Sequence, residues 1–144
     1  MPGVKWCYDL NNVPWPYDDE STQTVLAIDV IEHLDNPKSI LEEIYRILIP
    51  GGLLQLQVPY FGSLAHANDM THKHGFTPST FGFFIPGHPY CESSPWYSSA
   101  RFTVSSLMID NVPLSSFSLA QELKHQILFH HVVGNIQMTL IKQI

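Results

Sequence analysis

The sequence predicts an α/β fold built around a parallel strand–helix–strand unit, and three observations predict it. Residues 24–28, TVLAI, are a short apolar run, the pattern of a strand buried on both faces of a parallel sheet. Ile40, Leu41, Ile44, Ile47 and Leu48 then recur at helical spacing as one apolar stripe. Residues 52–58, GLLQLQV, alternate, with Leu54, Leu56 and Val58 on one side and Leu53, Gln55 and Gln57 on the other. Strand, helix and strand within about 35 residues make a βαβ unit with a right-handed crossover.

The other elements follow in chain order. Residues 4–10, VKWCYDL, read as a short strand entering the polar loop NNVPWPYDDES. Asp35-Asn36-Pro37 opens the helix, with a capping Asn and Pro at the first helical position. Glu42, Glu43 and Arg46 fall on its polar side, and Pro50-Gly51-Gly52 is expected to stop it. Residues 59–100 show no sustained period and hold many prolines and aromatics, which marks a functional or mobile segment. Residues 101–110 read as a strand. Ser118 to Gln121 resembles a capping box before a helix with Leu119, Leu123 and Ile127 on one face, and residues 136–144 close the chain as a strand. With no internal repeat and no linker, residues 1–144 are expected to form a single domain.

Composition narrows the class. The chain has 144 residues, 44% of them hydrophobic, enough for one core. Seven Lys and Arg against 13 Asp and Glu give a net charge of −6, which argues against nucleic acid as a partner. Cys7 and Cys91 form no metal motif; two free thiols in a reducing cytoplasm are favoured over one disulfide. No apolar run approaches the ~20 residues of a membrane span. The first ten residues lack the basic flank and apolar core of a signal peptide, so a cytoplasmic location is expected.

Residues 9–59, DLNNVPWPYDDESTQTVLAIDVIEHLDNPKSILEEIYRILIPGGLLQLQVP, resemble the class I S-adenosylmethionine-dependent methyltransferases of the type 11 group. The matching features are Asp9, then Val13-Pro14-Trp15-Pro16-Tyr17, the run Thr24 to Ile28, and Glu32-His33-Leu34. Glu43, Arg46 and Pro50-Gly51-Gly52 complete the set. Residues 68–81, NDMTHKHGFTPSTF, are similar to an Asp-x-x-His segment after the fifth strand in one branch of these enzymes. The resemblance is clear over residues 4–84 and topological beyond.

It implies a Rossmann-like sheet in which this chain supplies strands 3 to 7, mixed parallel and antiparallel, with flanking helices. It implies S-adenosylmethionine as cofactor, with Asp9 receiving the adenine amino group and Leu10 packing on the ring. Ile28 and Asp29 would line the methionine portion. It also implies methyl transfer to a small-molecule or protein acceptor, with 59–100 as the substrate-side loop.

One departure qualifies this. The family's glycine-rich turn has no counterpart, because no Gly-x-Gly occurs among the eight glycines. The chain therefore reads as the C-terminal portion of the domain, with cofactor binding weak or absent. In the family sheet order 3-2-1-4-5-7-6, such a portion leaves the edge of strand 4 open. A homodimer, or a sheet rearranged by residues 4–10, is then expected.

Other constellations stay open. Glu32-His33 reads as an acid–base pair or as a solvated helix start, and Asp69 with His72 as further catalytic candidates. His66, Asp69, His72 and His74 read as a zinc or non-haem iron site, a substrate loop, or a polar loop. Trp6, Trp15 and Trp96 are either adenine-pocket walls or core, and His130-His131 are expected at a helix end. No Gly-x-Ser-x-Gly frames a serine nucleophile. Beside a methyltransferase-like protein stand two alternatives: a non-catalytic assembly module using the open sheet edge, and a metal-binding protein using the 66–74 loop.

Overall fold

The structure, a computed structural model, describes residues 7–113 and 134–143. Five strands form one sheet: β1 (Thr22–Ile28), β2 (Leu48–Pro59), β3 (Phe102–Ile109), β4 (Val112–Pro113) and β5 (Asn135–Lys142), in the order β1-β2-β5-β3-β4. β1 and β2 are parallel, whereas β5 runs antiparallel to both β2 and β3. Helix α1 (Pro37–Ile47) carries the crossover between β1 and β2. With β1, β2, β3 and β5 standing for family strands 4, 5, 6 and 7, the order is the family's 4-5-7-6, extended by the short β4.

Helix α1 forms where the sequence placed it. The Asn36 side chain accepts a hydrogen bond from the Ser39 amide at 3.2 Å, and Pro37 starts the helix with no amide to satisfy. Ile40, Leu41, Ile44 and Ile47 are buried against Leu54, Leu56 and Val58 of β2 and Ile136, Met138 and Leu140 of β5 in one core. Buried Lys142 at the end of β5 ties this layer together. Its Nζ donates to Leu48 O at 2.8 Å and pairs with Glu20 at 3.1 Å, lying 4.6 Å from the Tyr45 ring centre.

Several expectations are corrected. The helix ends at Ile47, and Pro50-Gly51-Gly52 lies inside β2 rather than stopping the helix. Pairing slips there, from Thr22 opposite Leu48 to Thr24 opposite Leu53, so the two glycines sit in an irregularity of the ladder. Gly51 has φ +77°, and a Cβ on Gly52 would lie 2.8 Å from Ile49 O, so both positions require glycine. Glu43 is buried rather than solvated.

TVLAI is not buried on both faces. Ala27 is buried, but Leu26 and Ile28 are 65% and 50% exposed, because β1 is an edge of the sheet and one face there is open. Residues 7–9 are irregular rather than part of a strand and pair with no described strand; residues 4–6 lie outside the described residues. The sheet is therefore not rearranged by residues 7–10.

The 59–100 segment holds short helices, α2 (Leu64–Asn68) and α3 (Pro89–Ser93), with a 3-10 helix at Pro78–Phe84. None is long enough to show a period. Phe76, Phe81 and Phe84 nonetheless enter the core. Both cysteines are free, Cys7 exposed and Cys91 buried. The expected helix from Ser118 and the pair His130-His131 lie outside the described residues.

Candidate functional site

The candidate site lies at the carboxyl end of β1, the end at which open α/β sheets commonly bind ligands. β1 ends at Ile28, and Asp29 takes φ +51°, turning the chain into the 3-10 helix Ile31–His33. The exposed Asp29 carboxylate accepts from Gln57 Nε2 at 3.0 and 3.2 Å, and Gln137 Nε2 donates in turn to Gln57 Oε1 at 3.0 Å. The two glutamines of the β2 pattern thus face the open side of the sheet. Gln57 joins a polar row across three strands, while Gln55 is exposed.

The loop before β1 folds back beside this end. Asp9 is exposed; its Oδ1 accepts from the Asn11 amide at 3.0 Å, and its Oδ2 from Asn12 Nδ2 at 3.4 Å. Trp15 Nε1 donates to Leu10 O at 3.0 Å. Leu10, Trp15, Val30, Ile31 and the apolar residues of β1 line one hollow of about 300 Å³. Trp15 is buried there and Trp96 is 81% exposed, while Trp6 lies outside the described residues.

A network under that loop holds its shape. Glu43 accepts from the Trp15 amide at 2.6 Å, from Arg46 Nε at 2.9 Å and from Arg46 Nη2 at 2.5 Å. Arg46 Nη1 reaches Asp19 at 2.5 Å and Tyr17 O at 2.9 Å. Hydrogen bonding to Arg46 holds the Glu43 carboxyl below the usual carboxylate range despite its burial. A family pattern of Glu and Arg on this helix thereby becomes a clamp on residues 15–19.

Next to Asp29 the structure gathers side chains from two distant segments. Glu32 is fully buried, not solvated, and both of its carboxylate oxygens lack a hydrogen-bond partner among the described residues. Burial pushes its carboxyl above the usual range, and the charge of Asp29 adds to this. His72 Nε2 lies 3.9 Å from Glu32 Oε1 and 3.9 Å from Asp69 Oδ2. The His33 and His72 rings are 4.8 Å apart.

The turn at 69–74 is pinned to this place. Lys73 N donates to Glu32 O at 2.8 Å, and Lys73 Nζ pairs with Asp35 at 2.6 Å. Asp69 accepts from the Thr71 amide at 2.8 Å and hydroxyl at 2.6 Å, bonds that hold its carboxyl below the usual range. Of the four residues 66, 69, 72 and 74, the structure brings Asp69 and His72 together. His66 stacks on His72, with ring centres 5.7 Å apart, and His74 Nε2 faces Asp35 O at 3.3 Å. The convergence of Glu32, His33 and His72 was not visible in sequence, since about forty residues separate its two segments.

Comparison with known proteins agrees with this architecture. Residues 5–56 match the model of the methyltransferase domain family. No curated protein matches the chain. Among solved structures, the [4+2]-cyclase SpnF is similar at 14% identity and TM-score 0.56, covering 96% of this chain and 56% of its own. A chain of the complex containing the Haloferax volcanii Trm112 methyltransferase activator aligns at 15% identity and TM-score 0.54, covering 95% of this chain and 60% of its own. A SAM-dependent methyltransferase from Archaeoglobus fulgidus aligns at 15% and 0.54, covering 88% and 62%. The chain thus spans between half and two thirds of the length of these structures.

Among the described residues, no helix is long and apolar enough to cross a membrane. Residues 5–56 are thus similar in sequence to the methyltransferase domain family, and the described residues share the Rossmann-like α/β fold of these structures.

Proposed function

We propose that this polypeptide serves S-adenosylmethionine-dependent methyl transfer to a small-molecule or protein acceptor, and that the 144-residue chain holds the cofactor weakly and by its adenosine end. One observation carries the reading: Leu10 is folded back to line, with Val30 and Ile31 beyond the carboxyl end of β1, one hollow that runs along β1 from Thr22 to Ala27 over helix α1. Asp9 and Asp29 are exposed, each with lone pairs free to accept from an amino or hydroxyl group. An apolar hollow with carboxylates nearby suits the ring and the amino and hydroxyl groups of an adenosine.

The amino-acid end of the cofactor is matched less well. No Gly-x-Gly occurs in the sequence, and among the described residues no cationic side chain lines the hollow to take a carboxylate. The cofactor, when bound, supplies an electrophilic methyl group. The chain's part is to orient and to exclude water, with residues 59–100 on the acceptor side. Glu32, His33, Asp69 and His72 are the groups there with acid–base chemistry. Two unpaired cysteines are in keeping with a reducing cytoplasm.

Calorimetry with S-adenosylmethionine, adenosine and methionine tests this. Adenosine and S-adenosylmethionine are expected to bind with Kd values on the order of 1 mM, within tenfold of each other, and methionine not at all. Absence of heat with all three would leave the fold without the activity, as folds alone do not carry function.

A second reading, an assembly module, rests on the open edge of β1 with exposed Leu26 and Ile28. It predicts a homodimer at tens of micromolar that Leu26→Lys shifts to monomer. Light scattering that finds the unaltered chain strictly monomeric at that concentration removes it.

A further inference from the structure

We propose that Glu32, His33 and His72 form a binding site for a divalent transition-metal ion, with Asp69 at its mouth. One donor atom from each of the three residues lies within 4.8 Å of the others, a grouping that spans the start of the 3-10 helix after β1 and the 69–74 turn. Two imidazoles and one carboxylate are a donor set suited to zinc or iron(II) and poorly suited to magnesium or calcium.

An independent observation points to a cation. The Glu32 side chain is fully buried, and among the described residues neither carboxylate oxygen has a hydrogen-bond partner. A buried carboxyl group with no hydrogen-bond partner costs free energy, and in folded proteins a bound ion or water meets such a group. His72 Nε2 stands 3.9 Å from Glu32 Oε1, too far for a hydrogen bond and suited to an intervening ion.

The surroundings orient the imidazoles. His72 Nδ1 lies 3.0 Å from His66 O, so Nδ1 carries the proton and Nε2 presents its lone pair toward Glu32. His33 Nδ1 lies 3.0 Å from Thr71 Oγ1, and Thr71 is itself fixed by Asp69. Such support behind each ligand is what metal-binding imidazoles require. Donors around a tetrahedral ion sit about 3.4 Å apart, so closure needs inward shifts on the order of 1 Å, within reach of side-chain rotation. Three protein ligands leave a position for water or a ligand oxygen, and the half-exposed Asp69, 3.9 Å from His72 Nε2, faces that side.

The test uses the tag-free chain, stripped with a chelator and exchanged into metal-free buffer. It is titrated with Zn²⁺ by calorimetry and with Co²⁺ by visible absorption. One ion per chain is expected, with Co²⁺ bands of a nitrogen- and oxygen-ligated site, and no heat from Mg²⁺. Glu32→Gln and His33→Ala should each weaken binding by about ten- to a hundredfold, whereas His74→Ala should leave it unchanged. Thermal unfolding of each metal-free variant confirms that it is folded, and His33→Ala, at a partly exposed residue, is the safer of the two. The proposal is overturned if the unaltered chain binds neither ion. It is equally overturned if His74→Ala abolishes binding while His33→Ala does not, which would put the ion on the 66–74 loop alone.

Discussion

Glu43→Ala is expected to lower the unfolding free energy by about 2–4 kcal/mol at pH 7, the cost of leaving the Trp15 amide without its acceptor and Arg46 with Asp19 as its remaining carboxylate. The substitution removes the acceptor of the Trp15 amide and of two Arg46 donors at once. Marginal domains carry about 5–15 kcal/mol in total, so the variant sits near the edge of folding. Glu43→Gln keeps the shape and one acceptor, and is expected to lose less.

The pH dependence follows from the sign of the shift. The carboxyl of Glu43 is held below its ordinary value of 4.5 by the Arg46 hydrogen bonds. The folded state therefore binds the proton less readily than the unfolded state does. The stabilisation is fully present above about pH 4.5 and is lost as pH falls through the lower folded value. Urea titrations at pH 7 and pH 3 should show the gap between the unaltered chain and Glu43→Gln narrowing in acid. A gap that stays constant would mean that the ion pair does not hold the 15–19 loop.

Phe81→Ala is the second large effect, with an expected loss of about 3–5 kcal/mol. Phe81 is fully buried in the middle of the 59–100 segment and stacks on Phe76 with ring centres 5.6 Å apart. It shares one core cluster with Phe102 of β3 and Leu56 of β2. If the loss is of this size and unfolding stays a single transition, the segment is part of the cooperative core. A loss below about 1 kcal/mol would make it a peripheral insert.

What the sequence showed depended on the distance over which each feature is determined. The Asn36 cap, the Pro37 start and the stripe from Ile40 to Ile47 are local, and all were legible. The alternation of Leu54, Leu56 and Val58 was legible for the same reason. The burial of β1 was misjudged because an apolar run reports composition, whereas Leu26 and Ile28 are exposed through their place at the sheet edge. Glu43 reads as polar in sequence because Trp15, whose amide it accepts from, and Asp19, which shares Arg46 with it, lie more than twenty residues upstream and meet it only on folding. The site behaves similarly. Glu32-His33 and Asp69-x-x-His72 were each visible as pairs, but neither sequence nor resemblance joined them, and the burial of Glu32 has no local signature. In 59–100 the helices are five to seven residues long, too short for a period to emerge.

The central claim, that the carboxyl end of β1 with the loop at residues 9–10 holds the adenosine end of S-adenosylmethionine, is tested most directly by amide chemical-shift mapping. On titration with the cofactor, the amides of Asp9, Leu10, Ile28, Asp29 and Val30 should move together along one saturating curve, and adenosine should move the same set. Shifts confined to other residues, or none at several millimolar, would contradict the account.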